Sequence, residues 1–451
     1  MKERVQRWWP VWARTFAVAA ALAAAGCASL QPAGEAAARR DRAAVGAAYR
    51  PGDLKPVLPA LTEQSPPEEY LRYALFNHPA VSEAYYDWFA SVEKITGMRT
   101  PPDPKLTFQM DIQSIVTSVM PGLMFDFPAP GKLAAAAAGA TAEAAARYAA
   151  FEQAVLQTAF GVKRAAFDLR LLDRKLELDR QSLALLTELE KLAEARNASG
   201  QGSLPDVLRT QIEQSRMQAE IENLADSRDL LLARFKAALG DSPDQPAPPV
   251  MKTPFPTVSL DVASSQLLAE ALARNPVLRG LDAEIRQAEA GITLARKAGI
   301  PDFSAGAEAD LKAIPVLWRP QATMTLPVWR DRIAADIAAA RAGKNAAQAK
   351  LDAGRIALAV DFADKRFQVV ESSRNLRLLR ETLLPKTRQA LDAARSAYLT
   401  GAVDFQTMLD YERMLLDFGM AEAEAQAQHD TALAELSLIL LARPPPGAPL
   451  K

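Results

Sequence analysis

The stretch Gly131–Asn197 runs for 67 residues without a proline and is rich in alanine, leucine, glutamate and arginine, the residues that favour helix most. At 1.5 Å per residue a helix over it reaches roughly 100 Å. Arg330–Leu399 is a second run of nearly the same length. Helices this long cannot wrap one compact core. They must lie side by side, as in a coiled coil. Leu183, Leu186, Leu189 and Leu192 offer an apolar ridge, and the alanines of Ala134–Ala138 and around Ala334–Ala349 permit close approach. Plain helix propensity accounts for those alanines equally well.

The long runs belong to a unit written twice. Asn77-His78-Pro79 is answered by Asn275-Pro276, and Pro104 by Pro301, in both cases with prolines 197 positions apart. Pro128 and Pro327 are 199 apart; Gly200 and Gly401, like Leu208 and Leu409, are 201 apart. Landmarks in fixed order with a slowly drifting offset mark a tandem duplication. Each copy opens with a helix (about Pro67–Thr100; about Ala263–Gly299), passes through a hairpin, enters the long run and breaks at glycine (Gly200–Gly202; Gly401). A closing helix ends each copy (Leu204–Leu239; Phe405–Leu441). The two shorter helices, roughly 50 and 57 Å, stack to the height of one long one. The pattern is a tall cylinder of continuous and broken staves.

The hairpins alternate. Lys105, Thr107, Gln109, Asp111 and Gln113 share one face, and Leu106, Phe108, Met110 and Ile112 the other. Asp302–Lys312 repeats the pattern, with weaker downstream strands through Leu123, Phe125 and Phe127, and through Ala322, Met324 and Leu326. A half-exposed soluble sheet has this period, and so does a membrane β-barrel. Four strands cannot close a barrel, and an open edge in lipid leaves backbone groups unpaired. Either the strands lie outside a membrane or several chains share one barrel; three chains would give twelve strands.

Composition removes most other classes. The net charge of -1 calls for no nucleic acid or anionic surface. Two histidines, His78 and His429, and one cysteine, Cys27, leave no disulfide framework and no metal cluster. Gly-x-Ser-x-Gly and HExxH are absent, so no enzyme activity and no cofactor is expected. The front end reads as a signal peptide over residues 1–26, with Lys2, Arg4, Arg7 and Arg14 before the apolar Phe16–Ala25. Ala24-Ala25-Gly26-Cys27 resembles a bacterial lipobox, although Ala24 stands where leucine is more usual. That resemblance implies cleavage before Cys27 and its acylation, and Ala28 after it implies outer-membrane sorting. Cleavage removes four positive charges and one negative, leaving a mature charge of -4. Residues 27–66 read as an aperiodic tether, 67–250 and 251–441 as the two repeats, and 442–451 as a tail behind Arg443-Pro444-Pro445-Pro446.

The doubled Asn-(His)-Pro helix start, the strands after Pro104 and Pro301, and the exits Phe127-Pro128 and Leu326-Pro327 resemble the TolC family of outer-membrane efflux channels, in its lipoprotein branch. The segments Gly200…Asp206-Val207-Leu208 and Gly401…Met408-Leu409-Asp410 complete the likeness, which spans about Pro67 to Leu441. It implies a homotrimer with a 12-stranded outer-membrane β-barrel continuing into a 12-helix periplasmic α-barrel. It also implies docking to a periplasmic adaptor and an inner-membrane pump of RND or ABC type, for efflux or type I secretion. The corner Pro128-Ala129-Pro130-Gly131-Lys132 is similar to P-G-K corners of the heavy-metal branch and lacks the rest of a phosphate loop.

The resemblance also names residues. Asp410 matches a position whose carboxylates ring the narrow periplasmic entrance, where like charges favour cations. Asp206 matches a position that helps latch the closed state, yet Ser203-Leu204-Pro205-Asp206 is also an S-x-x-D cap. Tyr398 stands where the family often keeps a latch tyrosine, and Val403 replaces its latch arginine. The entrance is therefore expected to be held by packing and hydrogen bonds around Tyr398 more than by an ion pair. Asp404 is the expected N-cap of the last helix. The competing readings are an adaptor or a structural coiled-coil periplasmic lipoprotein; neither needs two copies each carrying one alternating hairpin.

Overall fold

The computed structural model describes residues 32, 34–50, 52, 54–112, 116–246, 248–256, 260–261 and 266–451. The signal peptide and the lipidation site Cys27 lie outside the described residues. Helices α1 (Glu35–Tyr49), α2 (Pro67–Asn77) and α3 (Pro79–Arg99) lead into strands β1 (Lys105–Ile112) and β2 (Val116–Phe127). Then come α4 (Lys132–Ala198) and α5 (Leu204–Leu239). The second copy repeats the order with α6 (Gln266–Arg274), α7 (Pro276–Lys297), β3 (Phe303–Asp310) and β4 (Leu317–Met324). It ends with α8 (Arg330–Leu378), a π-helical turn at Leu379–Leu383, α9 (Leu384–Leu399), α10 (Phe405–Glu435) and a second π turn at Leu436–Leu440. The expected opening helix of each copy is two helices, because Pro79 and Pro276 have no amide proton to continue the ladder.

The break does structural work. Asn275 Oδ1 accepts from Val277 N at 3.0 Å, and His78 Nδ1 accepts from Ala80 N at 3.2 Å, so each residue caps the helix it precedes. Asn77 Nδ2 donates to the carbonyl of Leu239 at 3.1 Å, and Asn275 Nδ2 to that of Ile439 at 3.1 Å. In both copies the asparagine before the break holds the C-terminal end of the closing helix. The asparagine–proline landmarks are thus a clasp made twice.

The expectation of an aperiodic tether over residues 27–66 is corrected. Residues 35–49 form α1, which runs beside α3. Its alanines favour helix, and Val45 and Tyr49, one turn apart, are both buried. Tyr49 lies 5.0 Å from Tyr85 and 5.9 Å from Phe151 between ring centroids, and Trp88 stacks on Phe151 at 5.8 Å. Glu35 is fully buried and ion-paired to Arg39 and Arg99. Two large apolar side chains in fifteen residues were too few to show as a period.

The four strands form one antiparallel sheet in the order β1-β2-β3-β4, leaving β1 and β4 as edges. Lys105 pairs with Met124 in the first hairpin and Ser304 with Thr323 in the second. With Pro128 and Pro327 199 positions apart at the exits of the second strands, these registers put the first strands at the same step of 199, so Pro102-Asp103 is the counterpart of Pro301-Asp302. This replaces the match of Pro104 with Pro301.

Candidate functional site

The sheet has two unlike faces. Residues directly opposite in an antiparallel ladder point the same way, so Leu106 and Leu123, Phe108 and Pro121, Phe125 and Ala305, and Phe303 and Met324 share one face. That face is bare: Leu106 is 81% and Phe108 61% exposed, and Trp318 and Met324 are exposed with them. An apolar patch of this kind demands lipid or another surface.

The opposite face carries the charges. Lys105 Nζ lies 2.7 Å from Asp126, whose Oδ1 accepts from Ser304 Oγ at 2.7 Å. Thr107 Oγ1 donates to Glu308 at 3.1 Å, and Arg319 pairs with Asp310 at 3.2 Å. Glu308 is buried because it lies across Gly122 of the next strand, where a Cβ would collide with the Glu308 and Thr107 side chains. A wall with one apolar face and one polar, hydrogen-bonded face suits a boundary between lipid and water.

Below the sheet the chain turns into α4 through Gly131, whose φ of 82° lies in the left-handed region. Lys132 Nζ reaches both carboxylate oxygens of Asp302 at 2.8 Å, and Ala129 N donates to the same carboxylate at 2.7 Å. Partial burial pushes the Asp302 carboxyl up, but these donors hold it below the usual carboxylate range. The corner therefore ties the first copy's helix to the second copy's strand.

At the other end, roughly 100 Å away along α4, α4, α5, α9 and α10 converge on the glycine turns. Leu186, Leu189, Val207, Leu391, Tyr398, Phe405, Met408 and Leu409 form the core there. Gly200 and Gly401, at φ of 72° and 80°, end the two long helices alike. Tyr398 is buried, its ring 5.4 Å from Phe405. Arg196 places its guanidinium 4.4 Å above that ring, donates to the Tyr398 carbonyl, and donates to the Gln201 carbonyl at 3.1 Å. One arginine thus ties both turns together. Sequence reading missed it because it sits in the first copy, not at the position taken by Val403. The Tyr398 hydroxyl is buried with no hydrogen-bond partner among the described residues. Burial and the nearby Asp206 carboxylate push its pKa up against the pull of Arg196.

Asp206 is half-buried in the first turn of α5. The S-x-x-D cap is corrected: Ser203 makes no side-chain capping bond, and Asp206 N donates to the Ser203 carbonyl at 3.1 Å. Asp404 does cap α10, its Oδ1 accepting from Thr407 N at 2.9 Å, as expected. Asp410 is exposed. It accepts from Gln406 Nε2 at 2.8 Å and lies 4.0 Å from Arg413. Gln406 Oε1 in turn accepts from Arg209 of α5 at 3.1 Å. Arg209 and Asp410 are 201 positions apart, so they occupy the same place in the two copies.

Deeper between the helices lies a buried acidic pair of sites. Glu412 is bonded by Ser182 Oγ across α4 and α10. Burial raises its pKa, and Glu213 and Asp417 add to the rise while the Ser182 bond and Arg413 oppose it. Asp179, one turn from Ser182, is also buried and shifted upward by burial and by Glu220.

Against known proteins, the family model described as outer membrane efflux protein matches residues 77–241 and 267–440, one segment in each copy. The cobalt-zinc-cadmium resistance protein CzcC of Cupriavidus metallidurans is 25% identical over 265 residues, which cover 55% of this chain and 59% of that protein. The outer-membrane channel OprN superposes with a TM-score of 0.73 at 16% identity, over 83% of this chain and 89% of that one. The outer membrane protein VceC of Vibrio cholerae superposes at 0.68 with 19% identity, over 83% and 95%. The fold, helical staves under a small antiparallel sheet, is that of TolC-like outer-membrane channels.

Proposed function

We propose, from the premise that this chain belongs to the outer membrane efflux protein family, that three copies form a passive channel through the outer membrane. The observation that carries this reading is the sheet. Among the described residues it is amphipathic, ends in two free edges, and supplies four strands where a barrel needs more. Twelve strands from three chains enclose a lumen lined by the charged face and present the apolar face to lipid. The long helices continue the duct through the periplasm to the glycine turns.

In this reading the channel is the outer component of a tripartite efflux system. It receives its cargo from a periplasmic adaptor and an inner-membrane pump of RND or ABC type. The name of CzcC supports metal ions as cargo over drugs, and the resemblance of the Pro-Gly-Lys corner to those of the heavy-metal branch points the same way. The chain's own role is conduction, not catalysis. Asp410 and Arg209 line the entrance, while Tyr398, Asp206 and Arg196 hold it closed. Cys27 is acylated: it precedes Gly34 by seven residues, at most roughly 25 Å of chain. Gly34 packs beside Thr141, only two to three turns below the corner at Lys132.

Conductance of the purified protein in a planar lipid bilayer tests the proposal. Discrete openings that grow or change frequency in entrance variants support it. A protein that sediments as a monomer and never conducts overturns it in favour of a scaffold lipoprotein.

A further inference from the structure

The geometry points to one register for the seam between copies: β4 of each chain pairs antiparallel with β1 of a second copy so that Gln321 faces the partner's Gln109. This rests on the trimeric reading above and adds to it a specific, checkable alignment.

The seam already inside the chain sets the pattern. β2 and β3 belong to different copies of the repeat, and they pair with Leu123 opposite Ala307 and Phe125 opposite Ala305. β4 is the counterpart of β2, and β1 that of β3, each 199 positions away. Moving the internal seam by that step places Ala322 opposite the partner's Phe108, Met324 opposite the partner's Leu106, and Arg319 opposite the partner's Asp111.

Three independent features agree. The first is backbone direction. Thr325 N donates to the Asp302 carbonyl, so the odd-numbered residues of β4 turn their peptide groups to β3. Trp318, Pro320, Ala322 and Met324 therefore turn theirs to the open edge. By the same alternation Leu106, Phe108 and Met110 face the open edge of β1. These are the residues the register brings together.

The second is a proline. Pro320 sits on the open edge and has no proton to donate there. Pro121, 199 positions earlier, occupies the same place in the internal seam. There the ladder passes over it: Gly122 pairs with Glu308 on one side, and Val119 accepts from Leu311 N at 3.0 Å on the other. A seam already built around this gap shows how the open one runs.

The third is side-chain chemistry. The apolar faces coincide, with a bulky ring set against alanine at Ala322 and the partner's Phe108, as at Phe125 and Ala305. On the lumen face Arg319, already 3.2 Å from Asp310, gains the partner's Asp111. Sliding by one residue would turn apolar side chains into the lumen. Sliding by two would move that aspartate from directly opposite Arg319 to the diagonal, the place Asp310 already holds on the other side.

The test is disulfide trapping in the full-length, detergent-solubilised protein, whose one native cysteine is Cys27. Gln321→Cys is combined in turn with Gln109→Cys, Thr107→Cys and Asp111→Cys, then oxidised and run on a denaturing gel. Within one chain these positions sit on opposite edges of a four-stranded sheet, roughly 14 Å apart, beyond disulfide reach. The expected result is covalent trimer in the Gln109 combination, with monomer retained in the other two. Preferential trapping with Thr107→Cys or Asp111→Cys overturns the register while leaving the trimer standing. Trimeric protein that traps with none of the three also overturns it. Protein that sediments as a monomer and traps with none defeats the trimeric reading itself.

Discussion

Arg196 and Tyr398 come from different copies of the repeat, yet the guanidinium of one covers the ring of the other at 4.4 Å and bonds its carbonyl. The tie uses the ring face and the backbone of Tyr398, not its hydroxyl. Tyr398→Phe should therefore leave single-channel conductance unchanged. Arg196→Ala and Tyr398→Ala should both raise open probability, since each removes a cation–ring contact worth about 1 kcal/mol at a partly buried site. A Tyr398→Phe channel as open as Arg196→Ala would mean that the hydroxyl holds the entrance after all.

Arg209 stands in the first copy where Asp410 stands in the second, and Gln406 bridges them. In the proposed threefold channel the entrance would then carry alternating charges, not carboxylates alone. Asp410→Asn should lower the preference for cations, and Arg209→Gln should raise it, by several-fold each at low ionic strength where screening is weak. Reversal potentials across a salt gradient report both. Shifts in the same direction would remove either residue from the conducting path.

These residues also show where sequence is a sufficient guide. The repeat, the long staves and the two-faced strands were legible because each is a period sustained over many residues. Leu204–Leu239 was bounded correctly behind the glycine turn that precedes it. Arg196 was not legible, because a cation over a ring is a contact between helices 202 positions apart in sequence and leaves no local pattern. Helix α1 escaped for the opposite reason: its pattern is local but rests on Val45 and Tyr49 alone. Ser203 looked like a cap by spacing, and only the side-chain geometry shows that it makes no such bond.

Lys132 and Asp302 hold the sheet to the helices at the corner between copies. Asp302→Asn should lower stability at neutral pH by about 1 kcal/mol, as for a half-exposed, charge-assisted pair. Because the folded carboxyl titrates below its unfolded value, the wild type gains this stability above the unfolded pKa. It loses it as pH falls through the folded one. Thermal melts should therefore separate the two proteins at pH 7 and draw together as pH falls below the usual carboxylate range. A constant gap across that range would assign the effect to packing.

Glu412 gives the opposite pH dependence. Its folded pKa is raised by burial between α4 and α10, with Glu213 and Asp417 adding to the rise and Ser182 and Arg413 opposing it. A carboxyl shifted this way holds its proton longer in the folded state, so stability is lost as pH rises from the unfolded pKa through the folded one. Glu412→Gln keeps an acceptor for Ser182 and removes the charge. It should melt a few degrees above the wild type at pH 8 and at nearly the same temperature at pH 4. The same variant should open less readily at pH 8, because the buried charge loosens the packing that joins the long helix of the first copy to the closing helix of the second. Parallel melting curves from pH 4 to 8 would place the pH response elsewhere, with Asp179, one turn from Ser182, the next group to substitute.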